Sequence, residues 1–126
     1  MARAKPTAFT LDYCRKHDIL CGVVERRVGP PGAIGVTQDL FGCIDLVAVR
    51  RDEVGVLGIQ ATSGSNMASR YTKATTVCAV ALRLWLERWN QFEVWGWKKI
   101  GNRWRLRRYV VTIEDGEFVK QVIDYE

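Results

Sequence analysis

The chain has 126 residues, of which 48% are hydrophobic and 26% charged, and it carries a formal net charge of +5. This length suits one domain with a buried core, and the composition is that of a folded protein, which excludes a disordered one. The longest mostly apolar run, residues 77–86, is far shorter than the roughly 20 residues that cross a bilayer. We therefore predict a single domain over residues 1–126, with no membrane as a partner.

The N-terminus and the cysteines indicate a cytoplasmic protein. Basic residues near the start are not followed by the apolar segment of a secretory signal. The four cysteines lack Cys-x-x-Cys spacing and the chain has one histidine, so we predict no structural zinc site. Cys21, Cys43 and Cys78 lie in apolar segments, which favours buried free thiols in a reducing compartment.

The first predicted elements are a short helix and a strand. In residues 7–17, apolar side chains recur on one side of a helix, with Thr7 as its N-cap. The β-branched run over residues 20–28 predicts one strand, which ends at Gly-Pro-Pro-Gly. The loop over residues 29–38 contains two prolines and three glycines, so we expect it on the surface.

A hairpin and a long helix follow. Residues 43–50 and 54–62 predict two strands joined by a charged turn; both are mostly apolar on two faces, which favours a sheet covered on both sides. Apolar residues then recur at steps of four and three over residues 67–85. One helix is therefore predicted to run to about Trp89 or Asn90.

Three further strands are predicted at the C-terminal end. They cover residues 91–99, 103–113 and 118–125, and Asp115-Gly116 is a strong signal for the last hairpin turn. The predicted order is α-β-β-β-α-β-β-β, so the fold class is α/β.

Three polar residues interrupt the predicted hairpin. Gln60 and Thr62 point to the same face because strand side chains alternate, and Asp45 reaches that face if the register places it opposite. A buried aspartate is unfavourable unless it is paired, hydrogen-bonded or bound to a cation. The alternative is that Asp45 lies near a strand end, where it is solvated or caps a backbone group.

An acid on one strand, followed across a turn by a polar-x-polar pair, resembles the PD-(D/E)xK signature of restriction-endonuclease-like nucleases. In that family an aspartate opens the second core strand and a D/E-x-K tripeptide lies in the third. The resemblance implies an α-β-β-β-α-β core through residue 99, with a mixed central sheet flanked by helices and with C-terminal β-hairpin strands added.

The resemblance extends beyond these positions. The stretch Asp39-Leu-Phe-Gly-Cys-Ile-Asp45-Leu, followed by Gln60-Ala-Thr62-Ser-Gly-Ser-Asn66, is similar to short phage and prophage proteins of that superfamily. The similarity spans about residues 20–99. It includes Glu25, Arg70, Lys73 and the segment Val94-Trp95-Gly96-Trp97.

Two letters of the signature differ in this chain. Gln60 stands where the second acid belongs and Thr62 where the lysine belongs, and a glutamine offers a neutral carbonyl oxygen to a metal ion. Glu25 is the first candidate for the missing charge, although it could equally be a solvated glutamate. Asp39 is a second candidate for the missing charge, although it could equally cap or brace its loop.

The resemblance also implies a metal and a set of catalytic residues. Mg²⁺ or Mn²⁺ would be held by Asp45, Glu25 and Gln60 or the neighbouring Ala61 carbonyl, and would assist phosphodiester hydrolysis. Lys73 and Arg70 lie three residues apart on one helical face and would replace the missing lysine, unless both are simply solvated. The catalytic set would then be Asp45, Gln60, Thr62, Lys73 and Arg70, with Thr62 orienting a water molecule.

Basic residues are concentrated between residues 96 and 113, where no acidic residue occurs. Trp104 and Leu106 alternate with arginines, so one face of this strand would be apolar and the other would carry guanidinium groups. We predict a phosphate-binding ribbon made by Lys98, Lys99, Arg103, Arg105 and Arg107. The alternative is an edge strand that uses charge to deter aggregation.

The other tryptophans are predicted to pack mostly in the core around the long helix and the fourth strand, with base stacking as the minor alternative. They are Trp85, Trp89, Trp95 and Trp97.

The sequence thus predicts a metal-dependent DNA nuclease, associated with a phage or prophage. Two alternatives stay open: a nuclease fold that binds DNA without cleaving it, and a small phage interaction or assembly protein whose basic face docks on an acidic protein. Nucleases of this fold often work as dimers, which leaves a homodimer open.

Overall fold

The computed structural model describes residues 5–30 and 36–126. Its helices are α1 (Lys5–Lys16), α2 (Met67–Thr75) and α3 (Ala79–Glu87). Its strands are β1 (Leu20–Val23), β2 (Arg26–Val28), β3 (Val36–Gln38), β4 (Leu46–Val49), β5 (Leu57–Ser63), β6 (Gln91–Ile100), β7 (Arg103–Glu114) and β8 (Glu117–Ile123). A 3-10 turn over Gly64–Asn66 leads from β5 into α2.

Six strands form one mixed sheet in the order β1-β4-β5-β6-β7-β8. Neighbouring strands are antiparallel, except that β5 and β6 run parallel, since α2 and α3 carry the chain back between them. The predicted α/β class, with a mixed sheet flanked by helices, is therefore confirmed. The short strands β2 and β3 pair with each other in a separate two-stranded sheet.

Apolar cores lie on both faces of the large sheet, as the apolar strands predict. Side chains of α1 pack on one face against the buried residues Leu46, Ala48, Leu57, Ile59, Trp95, Trp97 and Leu106. Side chains of α2 and α3 pack on the other face with Cys43, Ile44, Phe92, Val94, Tyr109 and Val111. No helix in the described ranges has the length and apolar character needed to cross a membrane.

The prediction of one strand over residues 20–28 is wrong. The Asp45 carbonyl accepts hydrogen bonds from the backbone N–H groups of Val24 and Glu25, at 3.0 and 3.3 Å, where the chain leaves the large sheet. It continues as β2, which pairs with β3 in what was predicted to be a loop over residues 29–38. Residues 31–35 of that loop lie outside the described residues.

The prediction of one long helix up to residue 90 is also wrong. The chain leaves helical geometry at Thr76, where the backbone angles are φ −120° and ψ −73°. The hydroxyls of Thr75 and Thr76 donate to the carbonyls of Tyr71 and Thr72, at 2.9 and 2.6 Å. Such side-chain bonds bend helices, and the β-branched threonines are weak helix formers. The apolar pattern continues across the break because both helices pack on the same face of the sheet.

The tryptophans divide between core and surface. Trp95 and Trp97 are buried and Trp85 is half-buried, which confirms the prediction for these three. Trp89 follows α3 and is 79% exposed, so its assignment to the core is wrong. Its positive φ of 68° turns the chain towards β6 and leaves the indole outside the sheet.

All three predicted hairpins form, β4–β5, β6–β7 and β7–β8. β4 and β5 pair with Leu46 opposite Ile59, and the turn between β7 and β8 has positive φ at Asp115 and Gly116, at 51° and 80°. The helix predicted to begin at Thr7 begins at Lys5 instead, so Thr7 lies inside α1 and is not its cap. All four cysteines are free thiols; Cys43 and Cys78 are buried, as predicted, whereas Cys21 is only half-buried. Cys14, for which no prediction was made, is buried as well.

The entry into α2 depends on a close approach at Gly96 of β6. A Cβ atom there would clash with the side chain of the fully buried Met67 and would lie 3.2 Å from the Gly64 Cα atom. We expect Gly96→Ala to lower the free energy of unfolding by about 1–3 kcal/mol in urea titrations. Gly22→Ala on the edge strand β1 is the control, because its Cβ meets nothing within 4 Å. Equal stability of the two variants would contradict the close packing at Gly96.

Candidate functional site

Asp45 and Gln60 meet on the face of the sheet that α2 covers. The pairing of Leu46 with Ile59 places Asp45 opposite Gln60. The Gln60 Nε2 donates to Asp45 Oδ2 at 3.1 Å, and the Ala61 backbone N–H donates to Oδ1 at 3.0 Å. Both side chains are buried, so Asp45 is a hydrogen-bonded internal carboxylate and not a solvated strand end.

Three carboxyl groups come together around Asp45. One carboxylate oxygen from each of Glu25, Asp39 and Asp45 lies within 4.8 Å of the others. The bonds from Val24 and Glu25 to the Asp45 carbonyl hold Glu25 in place. Asp39 is brought in by a tight turn whose ends, Leu40 and Ile44, form a β-bridge. The cluster therefore depends on the contacts of three separate segments.

Burial raises the pKa of the Asp45 carboxyl from 3.8 to about 7. The Ala61 N–H opposes this rise by stabilising the anion, whereas the negative charges of Asp39 and Glu25 add to it. Close carboxylates with little water around them favour a proton or a metal cation in their midst.

The cluster opens into a cleft with a volume of about 770 Å³. The cleft is lined by Pro6, Thr7, Glu25, Arg27, Thr37, Gln38, Asp39, Gly42, Asp45, Gln60, Ala61, Thr62, Ser63, Asn66, Arg70 and Lys73. Every residue predicted to be catalytic or metal-binding is in this set. Arg70 is half-buried and Lys73 exposed, and both reach the cleft from α2.

The sequence did not predict the place of several residues that line the cleft. Asp39 was only the second candidate for the extra charge, yet it lies in the carboxylate cluster beside Glu25. Arg27 was not predicted as a site residue, because the separation of β2 from β1 has no clear signal in the sequence. Thr7 was assigned to a helix cap.

A second buried carboxylate, Glu93 of β6, was missed entirely. It is 2% exposed, and Arg50 and Arg108 donate to its two oxygens at 3.0 and 2.7 Å, while the Trp95 indole N–H donates at 3.0 Å. Its signal was an isolated acid in an otherwise apolar strand. Because both oxygens are already satisfied, we assign Glu93 to the support of the sheet.

The basic residues of the β6–β7 hairpin lie mostly at the surface. Lys98, Lys99 and Arg103 are exposed and Arg105 is half-buried. Arg107 is held by Asp124 at 3.1 Å, with its guanidinium 4.5 Å from the centre of the Tyr125 ring. On the opposite face of β7, Leu106 is buried and Trp104 packs on Phe9. Nucleic-acid binding by this ribbon stays a prediction.

Comparison of the chain with family models, with curated proteins and with solved structures finds no match.

The raised pKa of Asp45 predicts a pH-dependent stability. Because the folded state holds the Asp45 proton more tightly than the unfolded chain does, the wild-type protein loses stability as the pH rises from about 4 to about 7. Asp45→Asn does not ionise and escapes this loss. In urea titrations with EDTA, we expect its free energy of unfolding, relative to that of the wild-type protein, to rise through this interval by about 4 kcal/mol.

The control for this experiment is Thr62→Val, a neutral change in the same cleft. Its difference from wild type should stay constant with pH, because neither side chain titrates in this range. Parallel pH profiles for wild type and Asp45→Asn would contradict the raised pKa.

Proposed function

We propose that this protein is a divalent-metal-dependent DNA nuclease that hydrolyses phosphodiester bonds with Mg²⁺ or Mn²⁺ as its cofactor. The observation that carries the proposal is the placement of three carboxylates within 4.8 Å of one another in a cleft that Arg70 and Lys73 also line. Phosphodiester hydrolysis requires these two features together: oxygen ligands for a metal ion, and cations for the phosphate.

The order of the elements also supports this proposal. Within the large sheet the chain runs α1, β1, β4, β5, the helix pair, then β6, with β5 and β6 parallel. With the separate β2–β3 pair set aside, this order agrees with the α-β-β-β-α-β core that the resemblance to restriction-endonuclease-like nucleases implies. Asp45 directly precedes the second of these strands, and Gln60 and Thr62 lie in the third. We therefore propose that this core is of the restriction-endonuclease-like type.

The donor set fits a small divalent cation. Mg²⁺ prefers oxygen ligands at about 2.1 Å, so two oxygens on opposite sides of the ion are about 4.2 Å apart. The three carboxylate oxygens lie within 4.8 Å of one another, slightly wider than that span, so a bound ion would draw them closer. Asp45, Asp39 and Glu25 would hold the ion. It would polarise the phosphodiester and lower the pKa of a bound water molecule.

The residues of the chain then have separate roles. The Gln60 Nε2 donates to Asp45 and, together with the Ala61 N–H, positions that carboxylate, while the Gln60 carbonyl oxygen would serve as the predicted metal ligand. Arg70 and Lys73 would bind the phosphate and stabilise the negative charge that develops on it. Thr62, buried in the same cleft, would orient the attacking water by a hydrogen bond.

A DNA-binding module without catalysis is the second candidate. The observation that favours it is the replacement of the second acid and the lysine of the signature by Gln60 and Thr62, combined with exposed lysines on the β6–β7 hairpin. Such a module would bind phosphates with a strong dependence on salt.

Metal binding can be tested by thermal unfolding in Mn²⁺ and in EDTA. We expect Mn²⁺ to raise the melting temperature of the wild-type protein, because a ligand that binds only the folded state stabilises it. Asp39→Asn should weaken Mn²⁺ binding on the order of 10- to 100-fold. Asp52→Asn is the control, because it removes an exposed carboxylate outside the cleft. An identical Mn²⁺ response in all three proteins would remove Asp39 from the metal site.

Cleavage can be tested on supercoiled, linear, single-stranded and branched DNA with Mg²⁺ or Mn²⁺. We expect Asp45→Asn and Lys73→Ala to lose cleavage by roughly 100-fold or more, because the first loses a ligand charge and the second a phosphate cation. Asp52→Asn should cleave like the wild-type protein. Salt-sensitive binding without cleavage by any protein would favour the module, and the absence of both would contradict both DNA functions.

A further inference from the structure

A second, smaller pocket adjoins the carboxylate cleft. Its volume is about 390 Å³, within the range of about 300–1,000 Å³ that is usual for ligand pockets. Its main polar and aromatic side chains are Ser63, Ser65, Lys98, Lys99, Trp104 and Tyr125. Ser63 lines the cleft as well as the pocket, so a chain-like ligand can pass from one to the other over this residue.

The pocket is cationic. Its described lining residues include two lysines and Arg107 but no aspartate or glutamate. Arg107 is neutralised by Asp124, at 3.1 Å, whereas neither lysine forms an ion pair within the described ranges. The Lys98 ammonium lies 5.8 Å from the centre of the Tyr125 ring. Two lysines are therefore left to bind an anion such as a phosphate.

The pocket also presents a fixed aromatic surface. The Trp104 indole packs on Phe9, with 4.7 Å between ring centres, and still exposes 42% of its surface. Tyr125 lines the pocket from the opposite face of the β6–β7 hairpin. Its ring lies under Arg107 and its hydroxyl contacts Gly64. An aromatic ring that is already ordered can stack with a base at little entropic cost.

We propose that this pocket binds an unpaired nucleotide of DNA, with the base on Trp104 and its phosphate on Lys99, which shares a face of the β6–β7 hairpin with Trp104. Lys98, which the register places on the opposite face beside Arg105, would hold the adjoining phosphate. A paired base inside a duplex hides its faces by stacking, so an aromatic platform selects single-stranded DNA. Together with the proposed nuclease function, on which this step rests, the pocket determines the substrate class. The preferred substrate is DNA that is single-stranded next to the phosphodiester in the carboxylate cleft.

Binding is measured first, without cleavage. A fluorescently labelled single-stranded oligodeoxynucleotide is titrated with the protein in EDTA, and its anisotropy is recorded; a blunt duplex of the same sequence serves as a competitor. We expect the single strand to bind more tightly than the duplex. Trp104→Ala should weaken single-strand binding roughly fivefold or more, because the stacking of one base contributes about 1–3 kcal/mol.

The chain offers a matched control for this variant. Trp89 is 79% exposed at the end of α3 and does not line the pocket, so Trp89→Ala removes an exposed indole elsewhere. It should bind like the wild-type protein. Lys98→Glu is a second variant, useful if Trp104→Ala unfolds, and its control is the charge reversal Arg88→Glu beside Trp89. Lys98→Glu should weaken binding and Arg88→Glu should not, with folding checked by circular dichroism.

Failure of this proposal can be told apart from failure of the nuclease function. Weaker binding by the pocket variants alone supports the pocket, even if no protein cleaves DNA. Binding that is unchanged in folded Trp104→Ala and Lys98→Glu, or a preference for the blunt duplex, would overturn the pocket, even if the wild-type protein cleaves DNA. Where cleavage occurs, a duplex with a single-stranded overhang should be cut faster than the blunt duplex.

Discussion

The hydrogen bonds that hold Asp45 against β5 are the interaction on which the rest of the site depends. The Ala61 N–H and the Gln60 amide fix both carboxylate oxygens at about 3 Å, while the Asp45 carbonyl binds Val24 and Glu25. The backbone and side chain of one residue therefore join β5 to the end of β1. Burial makes the ionised form of this carboxyl unfavourable, so the site favours either a proton on Asp45 or a cation that balances its charge.

The parallel pairing of β5 with β6 explains why cations face these carboxylates. A parallel pair requires a connection that returns over the face of the sheet, and here α2 and α3 provide it. Since α2 begins directly after β5, Arg70 and Lys73 lie above the carboxylates of the same cleft. The close approach of Gly96 to Met67 keeps this helix start near the sheet. The crossover connection thus places the cations of α2 opposite the carboxylates in the cleft, although the two groups are far apart in the sequence.

Local signals in the sequence were reliable where one residue type determines one conformation. The Asp115-Gly116 turn formed because both residues tolerate positive φ. The β4–β5 hairpin kept its register because a slip of one residue would move polar side chains such as Gln60 into the apolar core beneath α1. Periodicity could not reveal the break at Thr76, since the apolar residues continue along the same face on both sides of it. Nor could it separate β1 from β2, because that break depends on a carbonyl 20 residues away in the chain.

The sequence by itself determined the hairpin pairs of the α/β sheet and the identity of Asp45, Gln60 and Thr62 as polar residues in apolar strands. An isolated polar residue among apolar neighbours is visible without any structure because burying it is unfavourable. Only the tertiary structure decided which other charges join it. Asp39 and Glu25 meet Asp45 through a tight turn and the departure of the chain from β1, and Glu93 is paired with Arg50, which directly follows β4, and with Arg108 of β7. Such contacts depend on chain segments that are distant in sequence, and no local pattern encodes them.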